Sequence, residues 1–178
     1  MIFKETCLTG AYTIELEEHS DERGFFARAW CKKEFMTQGL TSNIVQANFA
    51  FTINKGTIRG MHYQIAPNEE AKLMRCIKGA IYDVIIDLRP ESSMYKQWFG
   101  VELSSENRKM LYVPKGFAHG YQSLTDNVET FYMVSEFYSP DSERAVRWND
   151  PAFSIEWPIT KNLTISDKDR NWPDFSEI

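Results

Sequence analysis

The chain has 178 residues and a mass of 20.8 kDa, which fits a single domain over residues 1–178 with a core of its own. Apolar residues make up 43% and charged residues 25%, proportions that exclude a disordered, collagen-like or coiled-coil chain, and an aromatic share of 14% favours pleated, half-buried sheet surfaces. A net charge of −5 with no run dense in Lys and Arg argues against nucleic acid as a partner, while a few cations in a pocket can still hold a small anion because distant charges are screened over about 8–10 Å.

Along the chain, the opening MIFKETCLTGAYTIEL carries charges where a signal peptide needs apolar residues. No apolar run approaches the ~18 residues of a membrane span, so a cytoplasmic protein with no membrane partner is expected. Cys7, Cys31 and Cys76 are odd in number and lack C-x-x-C spacing, which indicates neither a disulfide framework nor a zinc site. Lys32 to Gln38 is the best helix candidate, with Gly39 as its stop. From Gly56 strands take over. Ala80, Tyr82, Val84, Ile86 and Leu88 alternate with Ile81, Asp83, Ile85, Asp87 and Arg89 until Pro90, and a second such run covers Thr130 to Tyr138 before Pro140. Asn162-Leu163-Thr164 matches a glycosylation sequon without a secretory signal to give it meaning. Many short strands with regular turns predict an all-β sandwich or barrel, and a jelly roll with a few short peripheral helices suits the length. Neither G-x-G-x-x-G nor G-x-x-x-x-G-K-[ST] occurs, so the parallel nucleotide-binding folds lose their main support.

Two of the three histidines sit among glycines and polar residues, His62 in Arg59-Gly60-Met61-His62-Tyr63-Gln64 and His119 in Gly116-Phe117-Ala118-His119-Gly120. Glycine beside a histidine lets the backbone turn sharply and a ligand approach closely. Arg59 and His62 are three residues apart and would face opposite sides of a regular strand, unless Gly60 carries a bulge that re-aims the chain.

The runs RGMHYQ, EAKLMRCIKGAIYDVIIDLRP, LYVPKGFAHGY, VRWNDPAFSIEWP and ISDKD, in this order between Asp21 and Asp169, resemble the dTDP-4-dehydrorhamnose 3,5-epimerase family of cupin-type jelly rolls. The resemblance implies a homodimer that inverts C3, C5 or both carbons of a nucleotide-diphospho-4-keto-6-deoxy sugar without a metal or organic cofactor. It also implies the site. His62 is the base, and an imidazole near its ordinary pKa of ~6.5 suits that task at neutral pH. Asp169 orients it, although Ser166-x-x-Asp169 equally reads as a capping box at a short helix start. Lys72 stabilises the enolate oxygen, His119 helps to hold the same oxygen or the sugar, and Tyr132 is the acid. On one continuous strand Tyr132 and Tyr138 would share a face about 20 Å apart, so that one serves the sugar and the other stacks on the base. Arg23 and Arg59 fall to the phosphates, whose oxygens a planar guanidinium pairs two at a time. Gln46, Asn48, Glu143 and Lys168 match further substrate contacts.

Two departures from the family pattern bear on the substrate. Arg28 stands where many members carry a glutamate, and Ala47 where they carry an aspartate. A guanidinium only donates hydrogen bonds where a carboxylate accepts them, so Arg28 beside the ligand predicts a substrate other than the dTDP sugar, such as a CDP- or GDP-linked one. Arg28 at the pocket rim, paired with a surface acid, is the alternative. Two other function classes stay open. A metal-dependent cupin oxygenase would use His62 and His119 but needs further ligands, and a non-catalytic sugar-nucleotide binding module would keep Arg23, Arg59 and Tyr138.

Overall fold

Fourteen strands and two short α-helices form among residues 1–175, which the computed structural model describes. In chain order they are β1 (Ile2–Glu5), β2 (Tyr12–Glu15), β3 (His19–Asp21), β4 (Gly24–Phe26), α1 (Lys32–Thr37), β5 (Gln46–Thr52), β6 (Thr57–Gln64), β7 (Lys72–Lys78), β8 (Ala80–Asp87), β9 (Trp98–Ser104), β10 (Met110–Val113), β11 (Phe117–Ser123), β12 (Val128–Val134), β13 (Glu143–Ala145), β14 (Thr164–Ile165) and α2 (Asp167–Arg170). The first sheet runs β1-β2-β10-β7-β12-β5, and the second runs β13-β6-β11-β8-β9 with β14 added in parallel beside β6. The hairpin β3–β4 pairs with neither. This is the expected jelly roll. Among the described residues no helix is long and apolar enough to cross a membrane.

Period-two alternation fills the space between the sheets. Met74, Cys76, Leu111, Val113 and Val128 of the first sheet pack against Ile81, Ile85, Leu103, Phe117 and Tyr121 of the second. The outer faces are covered unequally. Phe35 of α1, fully buried, lies with Ile14, Leu73, Met110 and Tyr112 on the outside of the first sheet. On the outside of the second, Val146, Phe153 and Trp157 of the C-terminal segment cover Ile58, Met61, Val84, Ile86 and Ala118. Both faces of β8 are therefore buried, which is why apolar residues occur in both registers of its alternation. The β5 edge of the first sheet is left bare, with Phe49 and Phe51 69% and 50% exposed.

The expected helix forms over Lys32–Thr37, and Gly39 follows its end with φ +71°. The run from Thr130 behaves differently. β12 stops at Val134: Ser135 N–H still reaches the Ala71 carbonyl, but further on the backbone is taken by side chains, Tyr138 N–H donating to Gln46 Oε1 and Ser139 N–H to Gln64 Oε1. Tyr132 and Tyr138 thus do not share one strand, and the 20 Å spacing inferred from a continuous strand does not apply.

The bulge expected at Gly60 is present. His62 pairs with His119 and Arg59 with Tyr121, so two residues of β6 oppose the single Gly120 of β11. Gly60 has φ +131°, and a Cβ on it would lie 2.5 Å from the Gly120 Cα and 2.9 Å from the His119 carbonyl oxygen. G60A should lower stability by at least about 1–3 kcal/mol, since it combines a disfavoured backbone angle with an overpacked contact. Chemical denaturation of the variant checks this, and an unchanged midpoint would contradict the account.

Candidate functional site

The bulge puts Arg59 and His62, three residues apart, on the same inward face of β6, where both line a cleft between the sheets. Opposite them, Lys72 and Tyr132 project inward from β7 and β12, which are paired neighbours in the first sheet. The cleft has two lobes of about 420 and 490 Å³, within the range of small-molecule sites. His62, Lys72 and Tyr132 line both lobes and so mark the seam between them.

Asp169 meets His62 from α2, with Oδ1 2.6 Å from the ring Nε2. β14 pairs with β6 through Ile165 and Ile58 and so delivers α2 to the bulge. There Asp169 Oδ2 also accepts the Gly60 N–H at 3.4 Å. The two readings of Asp169 belong to different atoms. Its backbone N–H donates to Ser166 Oγ at 3.0 Å, so Ser166 caps the helix, while the carboxylate turns to His62 rather than back to the cap. Burial pushes this carboxyl up, but the hydrogen bond and charge of His62, with Gly60 and Ser166, outweigh it and hold the carboxyl below its ordinary value. The imidazole remains one-third exposed toward the cleft while Asp169 is buried.

His119 has a parallel arrangement, its Nε2 lying 2.8 Å from Oδ1 of the fully buried Asp83. Asp83 was visible in the sequence as a charge on the inward register of β8. Its Oδ2 is buried with no hydrogen-bond partner among the described residues. Arg59 is fixed by donation from Nε to Thr52 Oγ1 at 3.1 Å and from Nη2 to the Phe51 carbonyl at 3.0 Å, and Thr52 in turn bonds the Tyr121 hydroxyl. Burial above all, and then the charges of Glu70 and Tyr121, raise the Tyr132 phenol above its ordinary value, with Arg59 opposing. Tyr132 is therefore held as the protonated phenol. Lys72 forms an ion pair with Glu70 at 2.9 Å, a partner that its place two residues upstream could have suggested.

In the second lobe stand Gln46, Asn48, Tyr138 and Glu143. Tyr138 donates its hydroxyl hydrogen to Glu143 Oε2 at 3.0 Å, and the Lys168 ammonium lies 2.7 Å from the same carboxylate. The Tyr138 phenol is raised, chiefly by that hydrogen bond, and Glu143 is lowered, chiefly by Lys168.

Arg23 and Arg28 are not brought to this cleft by their own chain. Arg23, on the free hairpin, is 82% exposed and bonds its neighbour Asp21. Arg28 pairs with Glu34 at 3.3 Å, in the acidic corner where Glu34 also meets the N-terminal ammonium. Ala47 lies on the outward register of β5, between Gln46 and Asn48, which line the cleft. The expectation of a different substrate, built on Arg28 and Ala47, therefore finds no support in the cleft, and Arg28 fits the alternative of a pair with a surface acid. Among the described residues no group of three His, Cys, Asp or Glu side chains is placed to hold a metal ion.

A model of the dTDP-4-dehydrorhamnose 3,5-epimerase family matches residues 5–177. A curated protein of that name from Methanothermobacter thermautotrophicus is 41% identical over 177 residues, 98% of this chain and 95% of the relative. The crystal structure of the enzyme so named from Bacillus anthracis, with TDP and PPi bound, superposes with a TM-score of 0.92 at 44% identity, covering 98% of this chain and all of that one. The one from Elizabethkingia anophelis gives a TM-score of 0.96 at 38% identity over 98% and 96% of the two chains.

The lowered carboxyl of Asp169 sets a sign for acid stability. A carboxyl whose folded pKa lies below its unfolded value of ~3.9 stabilises the fold above that pH and loses the contribution as pH falls through the folded value. D169N should therefore lose stability less steeply than the native chain below about pH 4. Urea midpoints measured across this range check it, and parallel curves would contradict it.

Proposed function

The chain belongs to the dTDP-4-dehydrorhamnose 3,5-epimerase family, and from that premise we propose that it inverts C3, C5 or both carbons of a dTDP-4-keto-6-deoxy sugar in deoxysugar biosynthesis. The observation that carries the reading is the seam. His62 enters it from the second sheet and Tyr132 from the first, so a base and an acid address the sugar from opposite walls, with the Lys72 ammonium beside them. The C4 carbonyl acidifies the neighbouring C–H bonds. His62 takes the proton, the bonding pair moves into the ring and places negative charge on the C4 oxygen, and Lys72 and His119 stabilise that charge as it develops. The Tyr132 hydroxyl then returns a proton to the other face, and solvent restores the imidazole and the phenol. Asp169 fixes the tautomer and orientation of His62, as a buried carboxylate does for a catalytic imidazole.

Arg59 suits a pyrophosphate oxygen, and the exposed face of Tyr138, with Gln46, Asn48, Glu143 and Lys168 around it, suits the nucleotide. Arg23 and Arg28 join this reading only through a second copy of the chain. A homodimer supplies that copy and gives the bare aromatic edge strand β5 a partner, where the Phe49 ring packs at a tilt 5.1 Å from that of Phe131 beside the exposed Phe51. A metal-dependent oxygenase would need ligands beyond His62 and His119, and among the described residues no group of three His, Cys, Asp or Glu side chains is placed to supply them. A binding module would have no use for an acid and a base on opposite walls.

The test is NMR of dTDP-4-keto-6-deoxyglucose in heavy water with chelator-treated enzyme. Deuterium should enter at C3, C5 or both, and H62A should slow the exchange at every carbon by ~10²–10⁴. Exchange by H62A near the native rate would remove His62 as the base.

A further inference from the structure

Lys72 reaches the seam under the control of one acid. Glu70 lies two residues before it, at the entrance to β7, and its Oε1 stands 2.9 Å from the ammonium. Both side chains are only 13% exposed, so this pair is far from the freely solvated surface ion pairs that contribute little. Glu70 itself lines the second lobe beside Tyr132 and Lys72. Its backbone is anchored independently of Lys72. Ala71, between the two, exchanges hydrogen bonds with Ser135 through its N–H to Ser135 Oγ and its carbonyl to the Ser135 N–H. The preceding loop is pinned where Gln64 Nε2 donates to the Asn68 carbonyl and Ser142 Oγ to Asn68 Oδ1. The carboxylate is thus a fixed point, while a lysine ammonium on its flexible four-carbon stem is not.

We propose that Glu70 is a positioning residue of this site, its carboxylate holding the Lys72 ammonium by their ion pair at the seam where the enolate oxygen forms. The proposal rests on the epimerase reading above. A lysine left without this partner would sample other rotamers and lie toward water, and the step that depends on its charge would slow while nucleotide contacts stayed in place. Glu70 also acts on the second group of its own wall, since an anion near the Tyr132 phenol favours the protonated form that an acid must have.

The experiment is a double-mutant cycle on E70A and K72A, read by deuterium exchange into dTDP-4-keto-6-deoxyglucose and by dTDP binding to the same proteins. E70A should lower kcat for exchange about ten- to a hundredfold, the scale of a small misplacement of a catalytic group, with dTDP affinity unchanged. E70Q, which keeps the side chain's shape and an oxygen facing the ammonium but not the charge, should recover part of that loss. In the K72A background E70A should add nothing further. Additive losses, an E70Q no better than E70A, or a loss matched by weaker dTDP binding would each overturn the positioning role. If K72A is impaired and E70A is not, this proposal fails and the epimerase reading stands. If K72A itself exchanges at the native rate, the role given to Lys72 fails and that of Glu70 with it.

Discussion

One extra residue in β6 determines what this cleft can contain. Arg59 and His62 must both face inward, and in a regular strand a spacing of three sends them to opposite faces. Gly60 absorbs the extra residue opposite Gly120, and the two strands approach so closely there that a Cβ on either glycine would collide with backbone or with the Met61 sulfur. The consequence reaches beyond aim. The Gly60 N–H turns to the Asp169 carboxylate, the same group that holds His62. Strand β14 fixes α2 at that point through its pairing with β6. The bulge therefore turns the imidazole into the cleft and also gives its partner acid a second anchor.

Around this constraint the jelly roll creates unlike environments for groups that need unlike proton affinities. Asp169 is buried yet held as a carboxylate by donors on three sides, whereas Tyr132 is half-buried near the Glu70 carboxylate and held as a phenol. The first stays charged beside the imidazole that it orients, and the second keeps the proton that an acid must give. The two sheets supply the walls, His62 standing on one and Tyr132 on the other. Burial on the outside matters as well. The C-terminal segment that packs Phe153 and Trp157 over Ile58 and Met61 holds β6 from behind, so the bulge cannot relax outward.

Much of this was legible in the sequence because it lay in local pattern. The alternation over Ala80–Asp87, the helix stopped by Gly39, and the conflict between Arg59 and His62 resolved at Gly60 all follow from spacing and backbone freedom. What failed depended on contacts between distant segments. The run from Thr130 to Tyr138 looks like one strand, but Gln46 and Gln64, far away in sequence, capture the backbone at Tyr138 and Ser139. Arg28 looks like a pocket residue until Glu34 and the chain's own amino group are seen to gather beside it. The carboxylates behind Lys72 and His119 were missed for opposite reasons. Glu70 is near in sequence but offers no periodic signal, whereas Asp83 sits inside a periodic signal that reads as core.

The central claim is that proton removal and proton return occur on opposite walls of one cleft, through different side chains. Replacing Tyr132 by Phe tests it most directly, because it removes one wall's proton and leaves the other wall intact. In heavy water Y132F should still wash deuterium into the sugar through His62 with the original configuration, while inverted product falls. Equal loss of wash-in and inversion would contradict the division of labour and reduce Tyr132 to a residue that only positions the substrate.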